Sequence, residues 1–220
     1  IYTEQISGKV DKINSGSLEL VSLAASSQNY YTSSPLGRYL TQQDILTRLQ
    51  DRIRYVESSD LYFFYRTDSD ELLTALSNRA STGSSYFWNQ YLMLPPTQPA
   101  NTWFSVTCNG ETWLMCYYNV SQVRVGAAVR AKTLLQSLYA DTGLVQDSGF
   151  ALAGLDGTIV YSSQPDLMAC GTSLAGHIPA SLIVESHTVP EVGTLLLFRP
   201  SSDLPVSYTH LRAHETGRNL

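Results

Sequence analysis

The chain has 220 residues, of which 43% are hydrophobic and 15% charged, and its formal net charge at pH 7 is −5. This acidic balance excludes the basic footprint of a nucleic-acid-binding protein. The apolar share is typical of a globular domain and argues against disorder. No apolar run approaches the roughly 18 residues that a membrane-spanning helix requires.

The last fifteen residues differ in character from the rest. Residues 206–220 resemble the translation of a sequencing-library adapter, so we expect an artefactual tail with no role in folding. Without it, 12 basic and 18 acidic residues remain, a net charge of −6. His210 and His214 have the spacing of a helical metal site, but both lie in this tail. We therefore predict no metal and no cofactor.

Residues 1–57 are predicted to form an N-terminal helical segment with two helices. Apolar residues fall near one helical stripe at Ile6, Val10, Ile13 and Leu20, and again at Ile45, Leu49 and Ile53. We expect the second helix to begin at Thr41, whose hydroxyl can cap the first turn, after a connection over residues 30–37.

After residue 57 the apolar residues recur with a period of 2 instead of 3.6, which indicates a first sheet within residues 58–146. Strands are predicted at 61–65, 71–76, 103–108, 111–118 and 123–129, followed by a helix at 131–139. Asn109-Gly110 is a strong hairpin signal and, with a two-residue turn, places Val106 opposite Trp113 and Cys108 opposite Glu111. Cys108 and Cys116 are therefore not expected to bond each other.

A smaller unit is predicted over residues 147–205. Strands at 149–153 and 158–162 flank an Asp156-Gly157 turn, and strands at 182–188 and 193–198 follow. Because the strands are joined by hairpins and the helices gather elsewhere, the fold class is α+β.

No catalytic motif accompanies these elements. A dinucleotide-binding glycine pattern and a P-loop are both absent, and Ser173 only approaches the nucleophile-elbow spacing. Cys108, Cys116 and Cys170 have no zinc or redox spacing. The sequence therefore predicts a protein that is not an enzyme.

Aromatic residues concentrate in and after the irregular segment 82–103. Flat rings with a polar edge suit a pocket for a small molecule, although half or more of them could simply build the core. Arg124 alternates out of an apolar strand, where its guanidinium could bind a carboxylate of a ligand or of the protein itself. The candidate ligand-binding residues are Tyr86, Trp88, Tyr91, Trp103, Tyr117 and Arg124.

The order of elements resembles the double Cache family of PAS-like extracytoplasmic sensor domains. The similar segments are 58–66 (SSDLYFFYR), 147–150 (DSGF) and 155–163 (LDGTIVYSS), behind a helix-rich start. The resemblance implies two PAS-like antiparallel modules: a membrane-distal one at 58–146, and an incomplete membrane-proximal one at 147–205.

The same resemblance implies a function. Members sense small molecules for histidine kinases, chemoreceptors and AraC-type regulators, with membrane helices on both sides of the module and a possible homodimer. The ligand is expected between the distal sheet and the 82–103 segment. Amino-acid-binding members carry an Arg closely followed by Trp there, whereas this chain has Arg79 well before Trp88. The alternative is a secreted solute-binding or cell-surface adhesion domain.

Overall fold

The computed structural model describes residues 2–26, 34–56, 61–67, 72–76, 100–108, 110–142, 148–176 and 178–201. Its helices are α1 (Tyr2–Ser26), α2 (Pro35–Val56), α3 (Ala131–Leu134) and α4 (Gln136–Thr142). Its strands are β1 (Leu61–Thr67), β2 (Leu72–Leu76), β3 (Phe104–Cys108), β4 (Glu111–Val120), β5 (Val123–Arg130), β6 (Gly149–Ala153), β7 (Ile159–Ser162), β8 (Leu182–Val189) and β9 (Gly193–Pro200). The predicted α+β class is confirmed.

Helix α1 buries the stripe predicted from its periodicity, with Ile6, Val10, Ile13 and Leu20 almost inaccessible to solvent. Gly16 lies in this stripe directly above the ring of Phe63, where an added Cβ would meet the ring Cζ at 2.7 Å. The glycine therefore allows α1 to approach the first sheet closely.

Helix α2 begins six residues before the expected Thr41. Pro35 occupies the first helical position, where its missing N–H is not needed and its fixed φ suits the helix. The Ser34 hydroxyl accepts a hydrogen bond from the Gly37 amide at 3.2 Å and caps the first turn. The prediction of a connection over 30–37 was therefore wrong for residues 35–37, because the Ser-Pro pair starts the helix.

The first sheet has five antiparallel strands in the order β2-β1-β5-β4-β3. The β3–β4 hairpin has the predicted register, with Val106 opposite Trp113 and Cys108 opposite Glu111. Gly110 has a φ of 76°, as the turn requires. Strand β5 lies between β4 and β1, so the sheet joins strands that are about sixty residues apart in sequence.

The second sheet has four antiparallel strands in the order β7-β6-β9-β8. Gly157 adopts a φ of 77° in the predicted turn. The Asp156 carboxylate accepts a hydrogen bond from the Thr158 backbone N–H at 3.0 Å. The helix expected at 131–139 is interrupted at Leu135 and forms α3 and α4 instead.

One apolar core joins both sheets to α1. It includes Val125 and Val129 of the first sheet with Phe150 and Leu195 of the second. The boundary between residues 58–146 and 147–205 therefore stays a prediction. Among the described helices, none has the length and apolar character needed to cross a membrane.

Candidate functional site

The five-stranded sheet has two buried faces, because successive side chains of a strand point to opposite sides. The inner face packs against α1 and consists of Leu61, Phe63, Tyr65, Leu114, Cys116, Val123, Val125, Ala127 and Val129. The outer face carries a separate cluster of Tyr62, Phe64, Val106, Trp113, Met115, Tyr117 and Ala128. Strand alternation adds Arg66, Arg124 and Arg130 to this outer face.

Arg124 occupies one end of the outer face, beside Tyr117. Its guanidinium carbon lies 5.0 Å from the centroid of the Tyr117 ring, a cation–π distance. Its Nε donates a hydrogen bond to Asn119 Oδ1 at 3.3 Å, across the β4–β5 pair. The half-buried guanidinium is therefore oriented along the sheet by two neighbours on β4.

Arg66 was not among the predicted site residues, although it lies directly opposite Arg124 in the β1–β5 register. It is only 7% exposed. Two like charges facing each other across strands are unfavourable unless anionic or polar groups surround them. The alternation of Tyr62, Phe64 and Arg66 could have placed Arg66 on the outer face, but its pairing with β5 depends on the tertiary fold.

Tyr117 is buried between the arginine and Phe104. The two rings meet edge to face, with centroids 6.0 Å apart. Burial raises the pKa of the Tyr117 hydroxyl, while the nearby Arg124 charge lowers it. The hydroxyl therefore stays protonated at neutral pH and can both donate and accept a hydrogen bond.

The other end of the outer face is organised around Trp113. Its ring meets Tyr62 edge to face at 5.0 Å between centroids, and the Arg130 guanidinium lies 5.3 Å above it. Arg130 forms an ion pair with Glu111, with Nε and Oε2 2.7 Å apart. The charge of Arg130 is therefore balanced by a carboxylate of the protein itself.

Trp103 lies on the other side of the sheet from Tyr117 and Arg124. It is 3% exposed and packs in the core that contains α1. Its indole N–H donates to Asn14 Oδ1 at 3.1 Å. The structure therefore does not bring Trp103 together with the other two residues, because the hairpin register turns it toward α1. A direct ligand contact by Trp103 stays a prediction.

Three predicted site residues, Tyr86, Trp88 and Tyr91, lie outside the described residues. Tyr117 and Arg124 are the predicted site residues on the sheet side of the pocket. Among the described residues, no group of His, Cys, Asp and Glu could hold a metal ion. Cys116 is buried and free, and Cys170 is exposed and free.

Comparison with solved structures identifies the class of fold. No protein-family model and no curated protein matches the chain. The periplasmic sensory domain of the Campylobacter jejuni chemoreceptor Tlp1 superposes with a TM-score of 0.59 at 8% identity, covering 94% of both chains. A methyl-accepting chemotaxis protein X superposes with a TM-score of 0.51 at 10% identity, covering 89% of this chain and 91% of its own. The chain therefore has the fold of a periplasmic sensory domain, as the double Cache resemblance predicted.

Proposed function

We propose that this chain is the extracytoplasmic ligand-sensing module of a bacterial transmembrane signalling protein, with no catalytic role. The observation that carries the proposal is the likeness to a periplasmic chemoreceptor domain over 94% of both chains. This likeness favours sensing over the solute-binding or adhesion alternative. In the full-length protein, membrane helices flank the module and connect it to a cytoplasmic output domain, and the module can form a homodimer.

The ligand site that we propose is the Arg124 end of the outer face. Arg124 offers a planar fork that suits a carboxylate, and the buried Tyr117 offers a hydroxyl and an aromatic wall. Tyr86, Trp88 and Tyr91 of the 82–103 segment complete the pocket in this proposal. A small organic anion with an apolar part fits this combination best.

A thermal-shift experiment tests both parts of the proposal. Wild type and Arg124→Ala are each screened against organic acids, sugars and amines. A compound present at a hundredfold excess over its dissociation constant should raise the melting temperature of wild type by roughly 5–10 °C. Arg124→Ala should lose this rise, whereas Arg54→Ala, at an exposed position on α2, should keep it.

The ligand-free melting temperatures separate recognition from scaffolding. Loss of the cation–π contact with Tyr117 and of the exposed hydrogen bond to Asn119 should cost Arg124→Ala only about 1–2 kcal/mol. A loss of about 3–5 kcal/mol would instead show that Arg124 neutralises a buried carboxylate of the protein. A compound that stabilises Arg124→Ala as well as wild type would place the ligand elsewhere, and a wild type that responds to no compound would count against sensing.

A further inference from the structure

A chain of two hydrogen bonds connects three elements that are far apart in sequence. The indole N–H of Trp103, directly before β3, donates to Asn14 Oδ1 on α1 at 3.1 Å. The Asn14 side-chain amide then donates to Glu191 Oε2, in the β8–β9 turn, at 2.6 Å. The first sheet, the long helix and the second sheet are thereby linked through polar side chains.

The chemistry of the central residue matches this position. An indole can only donate a hydrogen bond and a carboxylate can only accept one, so the residue between them must do both. The neutral amide of Asn14 has an acceptor oxygen for Trp103 and a donor nitrogen for Glu191. An aspartate here would face Glu191 with like charge, and an aliphatic residue would bond to neither.

The backbone at Glu191 indicates that its side chain matters. Glu191 has a φ of 65°, a left-handed conformation in which glycine is the favoured residue. A glutamate is therefore not the residue that this turn selects by itself. Burial is the main cause of the raised pKa values of Cys116 and Tyr118 on β4, and the negative charge of Glu191 raises both further.

Helix α1 is positioned to connect Trp103 mechanically with the β8–β9 turn. Beside Asn14, the side chain of Ile13 is 1% exposed, and Ser17 is buried with its hydroxyl bonded to the Ile13 carbonyl. The same helix packs against both sheets in one continuous core. A displacement of α1 at Asn14 therefore moves groups that contact both modules.

We propose that Trp103, Asn14 and Glu191 form a relay that transmits movement of Trp103 through α1 to the β8–β9 turn. Trp103 directly precedes Phe104, whose ring meets Tyr117 edge to face in the proposed ligand site, so a ligand that displaces Tyr117 acts on the first member of the relay. The signalling role rests on the proposed function, whereas the mechanical coupling is a property of the ligand-free protein.

Native-state hydrogen exchange measures the coupling without any ligand. Trp103→Phe keeps a ring in the core but removes the N–H donor. Exchange of the backbone amides in the turn segment 189–193, in which only Pro190 has no N–H, should accelerate by roughly threefold or more, the effect of losing one hydrogen bond. Trp113→Phe, an equally buried tryptophan on the outer face, is the matched control and should leave this turn unchanged.

A double-mutant cycle distinguishes the relay from separate local effects. Glu191→Gly relieves the left-handed backbone, so a role in the turn alone predicts slower exchange at 189–193. The relay predicts that Trp103→Phe has no further effect on 189–193 once Glu191→Gly has removed the carboxylate. If the two changes alter exchange independently, or if Trp103→Phe acts no more strongly than Trp113→Phe, the relay is wrong.

Hydrogen exchange measured with a bound compound distinguishes the signalling role of the relay from the proposed ligand sensing. Any compound that stabilises wild type in the thermal-shift screen should slow exchange at 189–193. Asn14→Ala should retain the thermal shift but lose this distant slowing. Stabilisation of wild type without distant slowing would overturn the signalling role of the relay and leave ligand sensing intact. If no compound binds, ligand sensing fails, while the cycle still decides the coupling.

Discussion

The inner and outer faces of the five-stranded sheet are both buried, yet different side chains build them. The inner face, under α1, consists mostly of aliphatic residues around Phe63 and Tyr65. The outer face combines aromatic rings with Arg66, Arg124 and Arg130. Residues adjacent in one strand, such as Phe63 and Phe64, therefore belong to two different environments.

The comparison teaches that burial alone does not separate a core from a binding surface. Aliphatic packing on the inner face gains stability from the area removed from water and needs no partner outside the protein. Guanidinium groups on the outer face require anionic or polar partners once water is withdrawn. We therefore expect the inner face to contribute most of the stability, and the ligand site that we propose is at the Arg124 end of the outer face.

The largest expected effect comes from two neighbouring phenylalanines. Phe63→Ala should reduce the free energy of unfolding by about 3–5 kcal/mol, because α1 packs directly on the ring and cannot easily fill the cavity. Phe64→Ala should cost less, since its ring belongs to the smaller outer cluster. Urea denaturation measures both. Equal losses for the two variants would break the distinction between the faces.

A second test concerns the close approach of strands at the outer face. A Cβ at Gly126 would conflict with the Cys116 carbonyl oxygen and would lie 2.9 Å from Phe64 Cζ. Gly126→Ala should therefore cost about 1–3 kcal/mol of unfolding free energy. Gly8→Ala on α1, where an added Cβ meets nothing within 4 Å, should instead stabilise by about 0.5–1 kcal/mol. If Gly126→Ala leaves the free energy of unfolding unchanged, β4 and β5 can move apart at this position without loss of stability.

The inner face should also show an alkaline dependence of stability. Burial raises the pKa of the Cys116 thiol from its ordinary 9.0 to about 11. The unfolded chain ionises first, so this contribution is fully present below pH 9 and is lost as the pH rises to about 11. Urea unfolding under reducing conditions across this range should show a shallower decline for Cys116→Ala. Cys170→Ala, at an exposed site, should keep the wild-type decline.

The smallest expected effect is that of the C-terminal residues. We predict that ending the chain at Pro205, which removes the tail at 206–220, leaves the melting temperature unchanged. The reason is that this stretch resembles adapter-derived sequence rather than an extension of either sheet face. A fall of several degrees, roughly that caused by losing 1 kcal/mol or more, would show that the tail takes part in the fold.

Local signals in the sequence determined much of the fold. Helical periodicity predicted α1, and Asn109-Gly110 predicted the β3–β4 register, because a two-residue turn decides which residues face each other. The alternation around Arg124 likewise predicted which side of β5 it occupies. These features depend on neighbours within a few residues, which is why they can be read without a structure.

Tertiary structure alone decided which distant residues meet. The antiparallel pairing of β1 with β5 put Arg66 opposite Arg124, and the packing of α1 over the inner face brought Asn14 within hydrogen-bond distance of Trp103. The Asn14 side chain forms hydrogen bonds with Trp103, 89 positions away in sequence, and with Glu191, 177 positions away. No local pattern encodes such contacts, because they depend on how sheets and helix pack once their apolar faces are withdrawn from water.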